Sequence, residues 1–152
     1  MKKSAIVDII SCLFIILFLY TGVYKLLDLH HFFWALNKSP LLGGFYKPVG
    51  YALPPIEVII ALLLLIPFFS NKPMLRTWGL YGSAVLMLIF TVYITYMVEF
   101  RTDRPCTCGG IISQMNWHQH MYFNTTFTCL SFLGIWLNKH LIQKRENDMA
   151  IS

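Results

Sequence analysis

The chain is predicted to be all-α, a bundle of four transmembrane helices, and three observations predict it. Of its 152 residues 57% are hydrophobic and 12% charged, with a mean hydropathy of +0.59, whereas soluble domains carry about a quarter charged residues. The apolar residues gather into four runs, each of about the 20 residues a helix needs to cross the hydrocarbon layer. All 12 Lys and Arg fall outside those runs. A soluble globular domain is excluded, and the length leaves room for one integral membrane domain, residues 1–152.

The first run, Ala5 to Tyr24, carries only Asp8 and extends the predicted helix over about 5–27. Met1-Lys2-Lys3 precedes it as in a signal peptide, but the apolar stretch is long and no small-x-small cleavage site follows, so an uncleaved helix is expected. The second, 51–69, contains only Glu57 and is opened by Pro54-Pro55, a residue type suited to a first helical turn. The third, Trp78 to Val98 within a helix of 76–99, has no charge. The fourth, 117–138, has no formal charge but two histidines, and a basic cytoplasmic tail, 139–152, follows it.

Placing both ends inside puts Lys2, Lys3, Lys72, Arg76, Lys139, Lys144 and Arg145 on the cytoplasmic side. Lys25, Lys38, Lys47, Arg101 and Arg104 then lie outside, in segments of greater total length. The density of positive charge therefore predicts an N-in, C-in chain. The net charge of +5 follows from basic flanks that favour anionic lipid. No nucleic-acid motif is present, and the lipid bilayer is the first partner.

The inner connection is the tight turn Ser70-Asn71-Lys72-Pro73, so chemistry is expected outside. The first outer loop, Asp28 to Gly50, carries the aromatic cluster His30-His31-Phe32-Phe33-Trp34, expected to lie along the interface as an aromatic belt with a half-helix. Gly and Pro punctuation follows at Pro40, Gly43, Gly44 and Pro48.

The second outer loop, between the third and fourth helices, holds the most specific string, Arg-Thr-Asp-Arg-Pro-Cys106-Thr-Cys108-Gly109-Gly110. An outward location permits disulfides. A Cys-x-Cys bridge closes a very short loop, which constrains its geometry, and strained, exposed disulfides are the labile or catalytic ones. A structural staple normally closes a longer loop. Cys12 and Cys129 do not belong with this pair. Cys129 lies about 18 Å below the outer surface at the rise of an α-helix, Cys12 lies at a comparable depth, and both are expected to be packed as small hydrophobes.

Polar groups converge by depth near the outer end: Lys25, Glu57, Glu99, His118, His120 and Asn124. An ionisable group inside a span marks a functional site by default. Glu57 is the strongest case, with Lys25 as its expected partner, either as a clamp between the first two helices or as part of the chemistry. On the fourth helix His120, Asn124 and Thr128 recur at four-residue spacing, and Trp117 precedes His120 by three, so all share one face. That stripe should point into the bundle beneath the Cys-x-Cys turn, where an imidazole can lower a thiol's pKa. Interhelical hydrogen bonding is the competing role. Trp117 also suits an interfacial anchor, and His118 lies off the stripe.

Taken together, these motifs resemble the MauE branch of the DoxX-like superfamily. The likeness rests on Tyr24, Lys25 and Asp28 ending the first helix, Pro54 and Glu57 opening the second, and Cys106, Cys108, Gly109, Gly110, Trp117, His120 and Asn124 in that order, and it covers nearly the whole chain. The resemblance implies a redox-associated protein of the bacterial inner membrane. The family's namesake is needed to mature a disulfide-rich subunit of a periplasmic methylamine dehydrogenase, and relatives occur beside or fused to thioredoxin-like domains. Here Gly109-Gly110 follows the second cysteine where the family pattern has Phe-Gly, and this chain carries no thioredoxin-like domain, so that partner is expected to be separate.

The favoured expectation is that Cys106 and Cys108 cycle between dithiol and disulfide, exchanging with a periplasmic thioredoxin-like protein or an exported disulfide client. His120 assists thiolate formation, and Lys25, Glu57, Trp117 and Asn124 support the site. An oxidase of the quinone-coupled kind with two outward cysteine pairs is disfavoured, because this chain has one such pair. No cofactor is fixed by the sequence, and a quinone or a metal is compatible with it. A competing class is copper or zinc binding by Cys106, Cys108, His118 and His120, although that spacing departs from the usual zinc patterns. A third is a non-catalytic assembly factor whose bridge only shapes a docking loop.

Overall fold

The computed structural model describes residues 2–39, 41–70, 72–100 and 116–151. Five helices account for nearly all of them: α1 (Lys2–Leu27), α2 (Leu29–Lys38), α3 (Tyr46–Phe69), α4 (Pro73–Phe100) and α5 (Trp117–Ile151), with one 3-10 turn, Gly43–Phe45, before α3. Cys106 and Cys108 lie outside the described residues.

Three of the helices, within Ser4–Leu27, Gly43–Phe69 and Pro73–Phe100, are long and apolar enough to cross a membrane. The fourth expected span forms a helix but does not meet that measure. Asn124, Thr125, Thr126, Thr128, Ser131 and Asn138 dilute its apolar character. Most of those groups satisfy themselves locally: the hydroxyls of Thr125, Thr126 and Thr128 each donate to the carbonyl four residues back, and Ser131 donates to Thr128 O.

The four long helices pack in a ring, α1 against α3, α3 against α4, α4 against α5 and α5 against α1. Their shared core is Val7, Ile10, Phe14 and Phe18 from α1, Ile60, Ala61 and Leu64 from α3, Leu80 and Met87 from α4, and Leu137 from α5. The outer faces are also apolar, with Ile9 and Ile16, Ile59 and Leu62, Val85 and Val92, and Phe132 and Trp136 all exposed. Apolar surface on both sides of every helix fits a bundle solvated by lipid. Small residues set how closely helices approach. A Cβ on Gly79 would stand 2.7 Å from Leu64 Cδ2 and 3.2 Å from Leu64 N, and one on Gly134 would meet Ile10 and Leu80 at 3.2 Å.

Several expectations are revised. The half-helix expected in the segment after Asp28 is α2, which Asp28 caps by accepting the His31 amide at 3.2 Å, but Phe32, Ala35 and Leu36 bury one of its faces on the bundle. α3 begins at Tyr46, earlier than expected, so Pro54 and Pro55 lie inside the helix rather than in its first turn. The tail after residue 138 continues α5 as helix. Cys12 and Cys129 are free thiols on exposed helix faces, not packed in the core.

The end of the bundle that holds both Asp8 and Asn138 has its own polar ties. Arg76 Nη1 donates to Asp8 Oδ1 at 2.6 Å, joining α4 to α1, and Asn138 Nδ2 donates to Thr77 Oγ1 at 2.9 Å, joining α5 to α4.

Candidate functional site

The opposite end of the ring encloses a cavity of about 400 Å³. Its wall is almost entirely apolar, with Phe18 from α1, Phe32 and Leu36 from α2, Leu53 from α3, and Leu86 and Phe90 from α4. Into this wall are set Thr21, Lys25, Glu57, Tyr93, His120 and Asn124. The volume falls within the range of small-molecule sites, which pair apolar walls with a few placed polar groups.

Lys25 and Glu57 are its centre. Lys25 Nζ donates to Glu57 Oε1 at 2.5 Å, joining α1 to α3, with Glu57 wholly buried and Lys25 5% exposed. The ammonium also lies 5.8 Å from the Phe32 ring centroid and 5.6 Å from that of Phe90. The negative faces of both rings favour a cation at such distances. Among the described residues no geometrically formed hydrogen bond reaches Glu57 Oε2. The Thr21 hydroxyl lies beside the carboxylate, but its proton goes to Leu17 O at 3.0 Å. A buried polar atom left in this state is uncommon.

α5 supplies the next side of the wall. His120 and Asn124 are each 4% exposed, and Asn124 Nδ2 donates to His120 O at 3.0 Å. Thr128, one turn further, pairs with Thr91 of α4 at 2.8 Å between hydroxyl oxygens. The polar stripe of α5 therefore faces the bundle, as its spacing requires. Trp117 opens α5, and its side chain lies outside what the structure describes. Glu99 and His118 are exposed and do not line the cavity.

The structure adds groups that the sequence did not single out. Thr21 stands four residues before Lys25 on the same face of α1, a spacing open to inspection. Tyr93 carries no local signal. Its hydroxyl pairs with the buried Ser39 hydroxyl at 2.9 Å, which fixes the end of α2 against α4. Leu42 N donates to Ser39 Oγ at 3.4 Å and Gly43 N to Ser39 O at 2.8 Å, and Leu42 also lines the cavity.

Of the alternative metal set, His118 and His120 lie on α5, and Cys106 and Cys108 lie outside the described residues. α5 starts at Trp117, and side chains two apart on a helix do not face each other. Accordingly His118 is exposed and His120 buried. Among the described residues no three His, Cys, Asp or Glu side chains gather as metal ligands.

Apolar helices open to lipid on their outer faces, closed around a buried ion pair and a cavity, define a multi-pass membrane protein with an internal site. The chain belongs to the MauE family: the sequence profile of that family, described as methylamine utilisation protein MauE, matches residues 3–137. Comparison with curated proteins and comparison with solved structures each returned no match.

Proposed function

We propose that this chain is an inner-membrane thiol-disulfide exchange component, N-in and C-in, in which α5 crosses the bilayer with α1, α3 and α4. Cys106 and Cys108 would face the periplasm and exchange with a thioredoxin-like protein, supporting the maturation of exported disulfide-bonded proteins. The observation that carries this reading is the placement of His120: it is buried in the first turn of α5, and the chain leading into that turn contains the Cys-x-Cys pair. Membership of the MauE family supports the same reading. The outward apolar residues Phe132, Leu133 and Trp136 support a membrane position for α5.

In this mechanism a thiolate of one partner attacks a sulfur of the other's disulfide, forming a mixed disulfide and expelling a thiolate. The second cysteine of the attacking pair then displaces the mixed bond, so one disulfide is transferred for two thiols. His120 would accept the thiol proton, since only the thiolate attacks. The Lys25–Glu57 pair would hold α1 and α3 in place beneath the exchanging pair.

Thiol trapping in cells with a large, membrane-impermeant maleimide, after an acid quench, tests this on the wild type and on Cys106→Ser. The expected result is a mixture of reduced and oxidised pairs, labelled from outside, with a higher-mass adduct in the single-cysteine chain that reductant removes. A pair that stays wholly oxidised with no adduct in any variant would leave a structural bridge on an assembly factor.

A further inference from the structure

We infer that the cavity between α1, α2, α3, α4 and α5 is a binding site for an isoprenoid quinone, the electron partner of the Cys106/Cys108 pair. The redox half of this inference rests on the thiol-exchange reading above, whereas the binding half rests on the cavity.

The occupant enters from lipid. Ile56 on α3 and Ile89 on the adjoining α4 both line the cavity and are 43% and 57% exposed, so the cavity reaches the lipid-facing surface of the bundle. Its apolar wall matches a hydrocarbon body, and its volume of about 400 Å³ accommodates a substituted ring with the start of an isoprenoid tail. The remainder of the tail would leave between those two helices.

The polar end then selects the head group. Among the described residues Lys25 is the one Lys or Arg in the lining, and it is already paired with Glu57, so the charged pair sums to zero. A phosphate or a fatty-acid carboxylate would bring an uncompensated negative charge against Glu57, at a cost that burial makes large. A neutral head with oxygens that alternately accept and donate avoids that cost. A quinone carbonyl accepts from an ammonium, which has three donors, and the hydroxyl of the quinol can donate to a carboxylate oxygen. Glu57 Oε2, buried and lacking a hydrogen bond from the described residues, is the acceptor for which that hydroxyl is suited.

The step balances as two thiols plus one quinone giving one disulfide plus one quinol. Two S–H bonds break, an S–S bond forms between Cys106 and Cys108, and two electrons and two protons pass to the ring, whose carbonyl oxygens become hydroxyls. The reverse reaction reduces the disulfide. One cysteine pair is sufficient, because the thioredoxin-like partner supplies the other dithiol.

The test uses the full chain purified with native lipid and, separately, in nanodiscs of phosphatidylcholine to which decylubiquinone is added. Binding is measured on Cys106→Ser/Cys108→Ser so that thiol chemistry does not contribute. About one quinone per chain is expected in the lipid extract, with saturable decylubiquinone binding weakened at least about tenfold, or 1.4 kcal/mol, by Ala35→Phe, which fills the cavity from α2. Ile89→Trp, placed on the exposed rim where folding is little disturbed, should weaken binding in the same direction. An extract holding phospholipid or fatty acid at that stoichiometry without quinone, or binding indifferent to both substitutions, overturns the site. In cells, loss of quinone biosynthesis should lock the wild-type pair in one redox state. Binding intact beside a pair that never exchanges overturns the redox half alone, and exchange intact without quinone binding overturns the site while sparing the thiol-exchange reading.

Discussion

At the scale of single residues, the Lys25–Glu57 pair and the Arg76–Asp8 pair show how burial changes the meaning of the same chemistry. Removing one member of a buried pair leaves an uncompensated charge and costs about 3–5 kcal/mol, whereas replacing both by apolar groups is often neutral. Lys25→Met is therefore expected to destabilise the bundle by about that amount, and Lys25→Met with Glu57→Leu to recover most of it, measured by unfolding in mixed micelles of increasing dodecyl sulfate. Asp8 is 40% exposed but its partner Arg76 only 15%, so Asp8→Asn should cost about 1–2 kcal/mol in the same assay, between the surface and the buried cases. If Lys25→Met proves as mild as Asp8→Asn, the pair is not the keystone of the α1–α3 seam. The partnership of Lys25 with Glu57 was legible in the sequence because each is the lone ionisable group near the same end of its run. Tyr93 was not, since its partner Ser39 stands 54 positions away and neither residue is unusual in type.

At the scale of elements, the seams are set by missing side chains as much as by present ones. Gly79 lets α4 approach the backbone of α3 at Leu64. Gly79→Leu is expected to lose about 1–3 kcal/mol by overpacking, while Gly44→Ala, with no atom within 4 Å of the added carbon, should stay within about 0.5 kcal/mol. Equal effects at the two positions would mean that the α3–α4 approach is not tight. The runs themselves were legible from hydropathy, which is why α1, α3 and α4 agree with expectation except at their ends. α2 was only half legible: its aromatic cluster announced an interface, but its start depends on the Asp28 cap, and its burial depends on Phe32, Ala35 and Leu36 meeting a bundle that the local sequence does not contain. The early start of α3 was concealed by Pro54-Pro55, which suggested a first turn although eight residues of helix precede them.

At the scale of the whole molecule, the ring of four helices leaves one end tied by Asp8, Arg76, Thr77 and Asn138 and the other hollow around Lys25, Glu57 and His120. That division of labour, a closed end and a hollow end, was not legible in the chain, because a cavity is a property of how five helices meet and no segment records it. The polar stripe of α5 was legible by its spacing, and its inward direction follows from the same stripe. It has a further consequence for how the protein is made. α1, α3 and α4 are apolar enough to partition into lipid one by one as they leave the translocon, whereas α5 buries Asn124, Thr128 and Asn138 only in the assembled bundle and leaves Thr125 and Thr126 exposed. Its entry should therefore be the last and a cooperative step, conditional on the helices synthesised before it. A glycosylation reporter flanking α5 alone is expected to show poor integration, and the same reporter in the full chain efficient integration; equal integration in both would mean that α5 carries its own insertion signal.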